Sequence, residues 1–298
     1  MLTTPLSAFA TTLAIVRTGA EPVFADIDAF GLIDLDACRR MLAAAHPRIG
    51  FLVPVHLYGH ALDLDRLEAL GRDFGCVIVE DCAQAIGARV GGRAAGSVGI
   101  AAAVSFYPTK NLGAMGDGGA IVTSSPAIDE QARCLRDYGQ SGKYRHDEIG
   151  HNSRLDELQA AILTRAMLPR LEAWTARRRQ VAAQYLREIR HPGVRCLGAP
   201  PGSESCWHLF PVAVAAERKA EFREHLAARG VASGEHYPIA IPDQKAMERL
   251  PRPVRGEWSR ARALAAAQVS LPIHPYLSEA EVQTVIEAVN AWPTAALR

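Results

Sequence analysis

The chain has 298 residues, enough to bury a sizeable core, and this length suits one large domain or two unequal ones. Lysine and arginine total 33 against 32 acidic residues, so the net charge near zero excludes a strong electrostatic attraction to nucleic acid or an anionic membrane. Six cysteines without CxxC spacing favour reduced thiols over a disulfide framework or a zinc site. Because no signal-peptide or membrane-span pattern is present, we expect a cytoplasmic protein.

The first half of the chain alternates apolar runs of strand length with amphipathic stretches of helix length. The predicted strands contain PVFADID, IGFLVPVHLYG and CVIVEDC, and the predicted helices between them are DLDACRRMLAAA and DLDRLEALGRDFG. This alternation is typical of an α/β fold, with a mostly parallel sheet and helices on both faces. Because ligands gather at the carboxyl ends of such strands, we expect HLYGH, EDCAQ and the end of AAAVSFYPTK to face one crevice.

The second half of the chain begins with a helical pattern. Residues 153–190 show apolar residues at steps of three and four, with a kink expected at Pro169 and a capped start, Ser-x-x-acid, at Ser153. A smaller unit follows, with a strand in HLFPVAV and helices in AEFREHLAARG and SEAEVQTVIEAVNAW. We therefore predict a large α/β domain over residues 1–168 and a smaller C-terminal α+β domain over residues 169–298.

Lys110 lies in SFYPTKNLGAMGDGG, a short polar segment between an apolar run and a cluster of glycines. A lone lysine is most often a solvated surface charge. In a partly desolvated site, however, the pKa of a lysine falls and the free amine can form an imine with a carbonyl cofactor. The glycines allow a tight backbone around such an amine, although they also fit a plain turn before the strand AIVT.

Three polar residues near predicted strand ends accompany this lysine. Asp81 follows CVIV closely, where an aspartate can keep the ring nitrogen of pyridoxal phosphate protonated or can simply cap the next helix. Gln84 can contact ring substituents or remain a solvated residue of a first helical turn. Ser105 is either a phosphate ligand or an ordinary strand-end hydroxyl. Taken singly, each residue favours the simpler structural role.

Together these motifs resemble the DegT/DnrJ/StrS family of sugar aminotransferases, which are pyridoxal-phosphate enzymes of fold type I, the aspartate aminotransferase-like fold. The similarity covers PVFADID, LVPVHLYGH, VIVEDCAQAIGA, AAVSFYPTKNLGAMGDGGAIVT, NSRLDELQAAIL and LPIHPYLSEAEV, nearly from the first residues to the last. SFYPTKNLGAMGDGG together with EDCAQA is highly specific, because each element has a mechanical role and the order is fixed. The resemblance implies a transaminase.

The resemblance also implies roles for individual residues. Lys110 would form the imine with pyridoxal 5'-phosphate and then move a proton between the amino-acid carbon and the cofactor. Asp81 is implied as partner of the ring nitrogen, Gln84 as a contact of the ring oxygen, and Ser105 as a phosphate ligand. Asn152 matches the position that reaches the phosphate of the neighbouring subunit, which implies a homodimer with shared active sites, although a helix-start role is the simpler alternative. Relatives with histidine in place of this lysine perform dehydration, so transamination is favoured.

Four residues are candidates for contacts with the substrate. His56 and Tyr58 in HLYGH stand at a strand end, where an aromatic side chain packs on a sugar or a cofactor, although a structural histidine is the commoner outcome. His236 and Tyr237 in EHYPIAIPDQ match the family's HYP stretch, which closes over the active site. HLYG, NSRLDELQ and HYP together are most similar to enzymes that act on 3-keto nucleotide sugars. The expected reaction moves an amino group, with glutamate as donor, to a keto carbon of a nucleotide-linked deoxysugar.

The sequence departs from the family pattern at its start. The family's chains begin with a helix and strand carrying a Gly-Ser/Thr-Ala motif that receives the cofactor phosphate, whereas TTPLSAFATTLAIV already corresponds to the second strand and helix. We expect either a start codon further upstream or a shortened protein with weaker cofactor binding. The second case would suit a non-catalytic relative that senses a cofactor or binds a partner. A nicotinamide-binding fold is disfavoured, because no Gly-x-Gly-x-x-Gly turn follows the first strand.

Overall fold

A computed structural model of the chain describes residues 1–44 and 49–294. In chain order, its strands are β1 (Leu2–Thr3), β2 (Val23–Phe24), β3 (Phe51–Val53), β4 (Val77–Asp81), β5 (Arg89–Val90), β6 (Arg93–Ala94), β7 (Ala101–Ser105), β8 (Gly119–Val122), β9 (Gln140–Gly142), β10 (Arg145–His146), β11 (Arg195–Cys196), β12 (Ser203–Glu204), β13 (Phe210–Ala213) and β14 (Gln268–Leu271). The α-helices are α1 (Phe9–Arg17), α2 (Leu35–Ala43), α3 (Leu64–Phe74), α4 (Pro126–Arg136), α5 (Glu157–Ile162), α6 (Leu171–Glu188), α7 (Lys219–Ala227), α8 (Ser259–Ala267) and α9 (Glu279–Asn290). Within the two described ranges, no helix has both the length and the apolar character needed to cross a membrane.

A six-stranded sheet in the order β2-β1-β3-β4-β7-β8 forms the centre of the first half of the chain. Its first five strands are parallel, and β8 runs antiparallel to β7. The predicted α/β architecture with a mostly parallel sheet is confirmed. Because β4 pairs with β7 from Val79↔Ala101 to Asp81↔Ala103, the carboxyl ends of these two strands lie side by side. The sheet thus brings Asp81 close to the segment that follows β7.

Aspartate caps fix the crossover helices of this sheet. The side chain of Asp34 accepts hydrogen bonds from two backbone N–H groups in the first turn of α2. Asp63 caps α3 in the same way, and Gly75 ends that helix in the left-handed conformation at φ 61°. Parallel strands need a crossover connection, here a helix, and these capping residues determine where the crossover helices start and where α3 ends.

The long helical region is interrupted at Pro169, as predicted. After α5 the chain forms a π-helical turn, Leu163–Met167, and a 3₁₀ turn, Leu168–Arg170, before α6 begins. The predicted capped start at Ser153 is wrong, because Asp156 is the residue before the first helical turn and its side chain makes no capping bond. A full capping box occurs instead at the start of α9.

The C-terminal part has its own apolar core around a three-stranded antiparallel sheet in the order β11-β13-β14. Buried side chains of this core include Tyr185 from α6, Phe210 from β13 and Phe222 from α7. The core of the first half also takes in Leu264 of α8, so the chain returns to it late in the sequence. The boundary between residues 168 and 169 remains a prediction.

Candidate active site

Lys110 lies in the loop between β7 and β8, beyond the carboxyl end of the last parallel strand. The loop folds back on itself, because the Lys110 N–H donates to the carbonyl oxygen of Tyr107 at 2.8 Å and the Ala114 N–H donates to that of Phe106 at 2.7 Å. Burial lowers the pKa of the Lys110 amine, and the carboxylate of Asp81 opposes this decrease. The amine is therefore a partly desolvated group within the electrostatic influence of Asp81, and not a solvated surface charge.

A cavity of about 530 Å³ adjoins Lys110, and we call it the lysine cavity. Its wall includes Arg178 and three histidines, His208, His236 and His274. No acidic side chain is among the described residues that line it. Because the charged side chains of the wall are cationic and the other polar ones are neutral, the lysine cavity favours an anionic ligand.

Glycine is needed at position 113 because of space rather than backbone conformation. No glycine of SFYPTKNLGAMGDGG has a positive φ. A Cβ at Gly113 would press on the carbonyl oxygen of Pro108, whereas a Cβ at Gly116 would meet only the flexible side chain of Gln159, at 3.3 Å.

We predict that Gly113→Ala lowers the free energy of unfolding by about 2 kcal/mol, because the added methyl overpacks the loop that carries Lys110. Urea denaturation measures this change. Gly116→Ala is the matched control from the same loop and should stay within about 0.5 kcal/mol of the wild type. Equal stability of the two variants would contradict the spatial reason for glycine at position 113.

Asp81 ends β4 and lines a second cavity of about 510 Å³, which we call the aspartate cavity. The backbone N–H of Ala83 donates to Asp81 Oδ1 at 2.9 Å, and the hydroxyl of Thr11 donates to Oδ2 at 2.6 Å. Ser105, at the end of β7, lines the same cavity. The structure therefore brings Asp81 and Ser105 together, next to the loop of Lys110.

Gln84 is buried and links two tyrosines. Its Oε1 accepts a hydrogen bond from the backbone N–H of Tyr58 at 2.7 Å, and its Nε2 donates to Tyr237 Oη at 3.1 Å. Burial and the negative charge of Asp81 raise the pKa of Tyr237 to about 12, so this phenol stays neutral. Gln84 thus holds Tyr237 near Asp81, and the contact of Gln84 with a cofactor oxygen remains a prediction.

His236 lines the lysine cavity, as expected for a residue that contacts the substrate. Its backbone N–H donates to Gln268 Oε1 at 2.7 Å, and its Nδ1 lies 2.9 Å from Ser270 Oγ. Burial and the positive charge of Lys110 lower the pKa of His236. The ring is therefore neutral at pH 7, and its contact with a substrate remains a prediction.

His56 and Tyr58 lie in the core instead of the crevice. Both residues are 0% exposed. His56 Nδ1 accepts the backbone N–H of Leu62 at 3.1 Å, so Nε2 carries the proton and donates to Glu80 Oε2 at 2.9 Å. The Tyr58 hydroxyl donates to the carbonyl oxygen of His236 at 3.0 Å. The expected packing of these two side chains on a sugar or cofactor does not fit their burial.

The same region contains a group of potential metal ligands. One ligand atom each from His56, Glu80 and Cys82 lies within 4.8 Å of the others. Both ring nitrogens of His56 are already engaged, and both oxygens of Glu80 accept backbone hydrogen bonds. Burial raises the pKa of the Cys82 thiol, which therefore stays protonated. The group is a structural hydrogen-bond cluster.

Asn152 lines neither cavity. It is exposed, and its backbone pairs with Asp137 in an isolated bridge. It belongs to an exposed arm, residues 138–153, in which Tyr144 is 83% and Ile149 is 97% exposed. A role of Asn152 in the active site of a neighbouring subunit remains a prediction.

Sequence reasoning missed His208, which is only 8% exposed and lines the lysine cavity. Its Nδ1 lies 3.1 Å from Oδ1 of Asn111, the residue after Lys110. Burial and the charges of Lys110 and Arg178 hold the pKa of His208 well below its usual range. In the sequence, its neighbours Trp207 and Leu209 favour a histidine in the core, and nothing nearby indicates an active-site role.

Arg178 was also missed, because the RRR pattern of α6 is typical of a solvated helix face. It is only 6% exposed, and its Nη1 donates to the carbonyl oxygens of Trp207 at 3.1 Å and Ile273 at 2.8 Å. Burial lowers its pKa to about 10, so it remains a cation at neutral pH. The one available signal is its spacing, because Arg178 lies three residues after Thr175 and three before Val181, both on the buried face of α6.

The fold is similar to that of a solved sugar aminotransferase. S. venezuelae DesV, determined in complex with a ketimine intermediate, matches with a TM-score of 0.90 and 42% identity over 98% of this chain and 77% of that chain. The architecture is that of the fold type I pyridoxal-phosphate-dependent transferases, as the sequence motifs implied.

The sequence profile of the DegT/DnrJ/EryC1/StrS aminotransferase family matches residues 1–290, and the chain belongs to this family. It is 46% identical over 250 residues to dTDP-3-amino-3,4,6-trideoxy-alpha-D-glucose transaminase of Streptomyces venezuelae, covering 84% of this chain and 65% of that protein. It is 43% identical over 283 residues to erythromycin biosynthesis sensory transduction protein EryC1 of Saccharopolyspora erythraea, covering 95% of this chain and 76% of that protein. The chain thus spans about two thirds to three quarters of the length of these relatives.

Proposed function

We propose that this protein is a pyridoxal-phosphate-dependent aminotransferase that moves an amino group from glutamate to the 3-keto carbon of a nucleotide-linked deoxysugar. The observation that carries the proposal is the place of Lys110, which lines the lysine cavity in the loop after β7, at the sheet edge where β4 ends in Asp81. Burial lowers the pKa of this amine. Membership of an aminotransferase family supports the reaction type. The name of the Streptomyces relative, a 3-amino-sugar transaminase, supports the position of the amino group.

The residues at the two cavities fit pyridoxal phosphate by their chemistry. Lys110 supplies a partly desolvated amine for a covalent link to an aldehyde. Asp81 supplies a carboxylate that two donors hold at the edge of the aspartate cavity, where it would face a ring nitrogen. Ser105 supplies a strand-end hydroxyl for a phosphate. Gln84 lines neither cavity, and the second N–H of its Nε2, beside the one that Tyr237 accepts, would serve a ring oxygen.

The protein's own groups would divide the work as follows. Pyridoxal phosphate, when bound, supplies the electron-withdrawing ring that makes proton loss from the amino donor feasible. Lys110 would accept and return that proton at Nζ, and its lowered pKa increases the fraction of free amine at neutral pH. Asp81 would keep the ring nitrogen charged. His236 and Tyr237, both neutral, would close the site and contact the nucleotide sugar.

The lysine cavity suits both proposed substrates. Each is an anion, since glutamate has two carboxylates and a nucleotide sugar has a diphosphate. Arg178 is buried in the wall, and among the described residues the hydrogen bonds of its Nη1 go to backbone carbonyl oxygens rather than to a carboxylate. The positive wall of this cavity therefore favours binding of either substrate.

The alternative of a non-catalytic regulatory relative has less support. One relative is named as a sensory transduction protein. Both Lys110 and Asp81 are present here, however, and the surroundings of the amine lower its pKa. A regulatory protein that does not use the cofactor has no need of this arrangement.

We also propose a cytoplasmic homodimer with shared active sites, in which Asn152 contacts the cofactor phosphate bound to the neighbouring subunit. The exposed arm supports this proposal, because it places Asn152 away from both cavities of its own chain and presents large apolar side chains to the outside. Exposed apolar residues of this size are typical of interfaces.

The experiment that tests the function is direct. Purified protein mixed with pyridoxal phosphate should gain a visible absorbance band, and borohydride should fix the cofactor to the peptide that contains Lys110. A panel of keto nucleotide sugars with glutamate should then show amination of a 3-keto sugar. Absence of both the band and the fixed label would reject the proposal, and amination at another carbon would correct the substrate.

A further inference from the structure

The hydroxyl of Thr11 makes an unusual contact for a threonine in a helix. It donates to Asp81 Oδ2 at 2.6 Å, across 70 residues of sequence. Thr18, Thr164 and Thr284 instead donate to backbone carbonyl oxygens three or four residues earlier in the chain. Among these four threonines, Thr11 is the one whose hydroxyl donates to a side chain of the site and not to a nearby backbone carbonyl.

The geometry at Asp81 fixes the orientation of its carboxylate. Thr11 holds one oxygen and the backbone N–H of Ala83 holds the other, at 2.9 Å. The distance from Thr11 is that of a hydroxyl donating to an ionised carboxylate. A carboxylate has about four acceptor positions, so two remain after these donors. With both oxygens held, the group cannot rotate freely about its terminal bond.

The two residues also share one cavity. Thr11 and Asp81 both line the aspartate cavity, and Ser105 lies on its wall. Thr11 is only 6% exposed, so water has little access to the donor side of its hydrogen bond to Asp81. A hydrogen bond to a charged group contributes more to stability than one between neutral groups.

We propose that Thr11 is a positioning residue, whose hydroxyl orients the Asp81 carboxylate towards the ring nitrogen of the cofactor. This inference depends on the proposed function, because it assigns Thr11 a role only through the contact of Asp81 with pyridoxal phosphate. Thr11 itself does not touch the reacting atoms.

The neighbouring residue provides a matched control. Thr12 lies in the same helix and is 0% exposed, and its hydroxyl has no hydrogen-bond partner among the described residues. Thr12→Val therefore removes a buried hydroxyl of the same helix without removing a hydrogen bond. Thr11→Val removes the hydroxyl that holds Asp81, and Thr11→Ser keeps it.

The test compares two ligands, pyridoxal phosphate and its analogue with CH in place of the ring nitrogen. Binding of each to the apo protein is measured by fluorescence titration. The wild type should prefer pyridoxal phosphate, and Thr11→Val should reduce that preference by about 10-fold. Thr11→Ser and Thr12→Val should keep the wild-type preference. If Thr11→Val fails to fold, Thr11→Ala is used in its place.

Each outcome decides between the alternatives. An equal loss of affinity for both ligands in Thr11→Val would show a merely structural role and overturn the inference. An unchanged preference in that variant would overturn it as well. A wild type that binds neither ligand would reject the proposed function and, with it, the inference. A wild type that binds both equally would reject the contact between Asp81 and the ring nitrogen.

Discussion

Lys110→Ala is expected to lower the rate of transamination by about 10³-fold, because loss of a positioned proton carrier costs 10²- to 10⁴-fold in typical enzymes. The folded state should not suffer. Burial disfavours the charged amine, as its lowered pKa shows, so truncation removes a group that is costly to bury. Steady-state rates with glutamate and the keto sugar, together with urea denaturation, measure the two effects.

The exposed residue Lys245 provides the control for this experiment. Lys245→Ala should keep both the activity and the borohydride label of the wild type. If Lys110→Ala kept more than about a tenth of the rate, the proton would have to be carried by another group. His208 and His236, which line the same cavity, would then be the next candidates.

The same variant also tests the shared active site. Lys110→Ala and Asn152→Asp are each expected to be impaired as homodimers, and equal amounts of the two chains are allowed to exchange subunits. In a two-fold dimer, half of the dimers are then mixed, and each mixed dimer has one site with both native residues. Activity should recover to about one quarter of the wild type. If Asn152 serves its own subunit, no recovery follows.

Much of the site could be predicted because its residues lie at or just after the carboxyl ends of the parallel strands. Periodic alternation of apolar runs and helices gives a parallel sheet, and parallel sheets place Asp81, Ser105 and the loop of Lys110 at one edge. These residues also lie in dense local motifs. Thr11, Arg178 and His208 come from a helix face or from distant parts of the chain, so only the folded arrangement shows that they reach the same two cavities.

The burial of His56 has a definite physical cause. Successive side chains of a strand point to opposite faces, so Asp81 and Glu80 cannot both face the crevice. Asp81 lines the aspartate cavity, and Glu80 is 0% exposed and bonded to His56. The position of His56 is therefore determined by its acidic partner, Glu80, on the neighbouring strand β4. The sequence contains both residues, but it does not say which of the two acids the histidine meets.

Glu80 is held by four donors in the core. The Nε2–H of His56 donates to Oε2 at 2.9 Å, as does the backbone N–H of Gly96, while the N–H groups of Val98 and Gly99 both donate to Oε1 at 2.8 Å. Burial alone would raise the pKa of Glu80, but these hydrogen bonds outweigh it and lower the pKa to about 2. The carboxylate thus ties β4 to the loop before β7.

Glu80→Ala is expected to lower the free energy of unfolding by about 4 kcal/mol, because it leaves four buried N–H donors without an acceptor. Glu68 provides the contrast, since its ion pair with Arg93 is exposed and Glu68→Ala should cost at most about 1 kcal/mol. Urea denaturation of both variants at pH 7 measures the difference. Similar losses in the two variants would show that the cluster around Glu80 contributes no more than a surface pair.

Acid should lower the free energy of unfolding of the wild type, because it protonates the carboxylate of Glu80. Because the folded pKa of Glu80, about 2, lies below the ordinary value of 4.5, its ionised form stabilises the fold above pH 4.5 and this stabilisation is lost as the pH falls towards 2. Between pH 7 and pH 3.5 this group accounts for a loss of about 1.4 kcal/mol in the wild type. The difference in the free energy of unfolding between the wild type and Glu80→Ala should therefore be smaller by that amount at pH 3.5 than at pH 7. If this difference were the same at both pH values, the pKa of Glu80 would not be lowered in the folded state. Since Asp81 follows Glu80 directly in β4, the hydrogen bonds that hold Glu80 also fix the strand end that carries Asp81, the proposed partner of the cofactor.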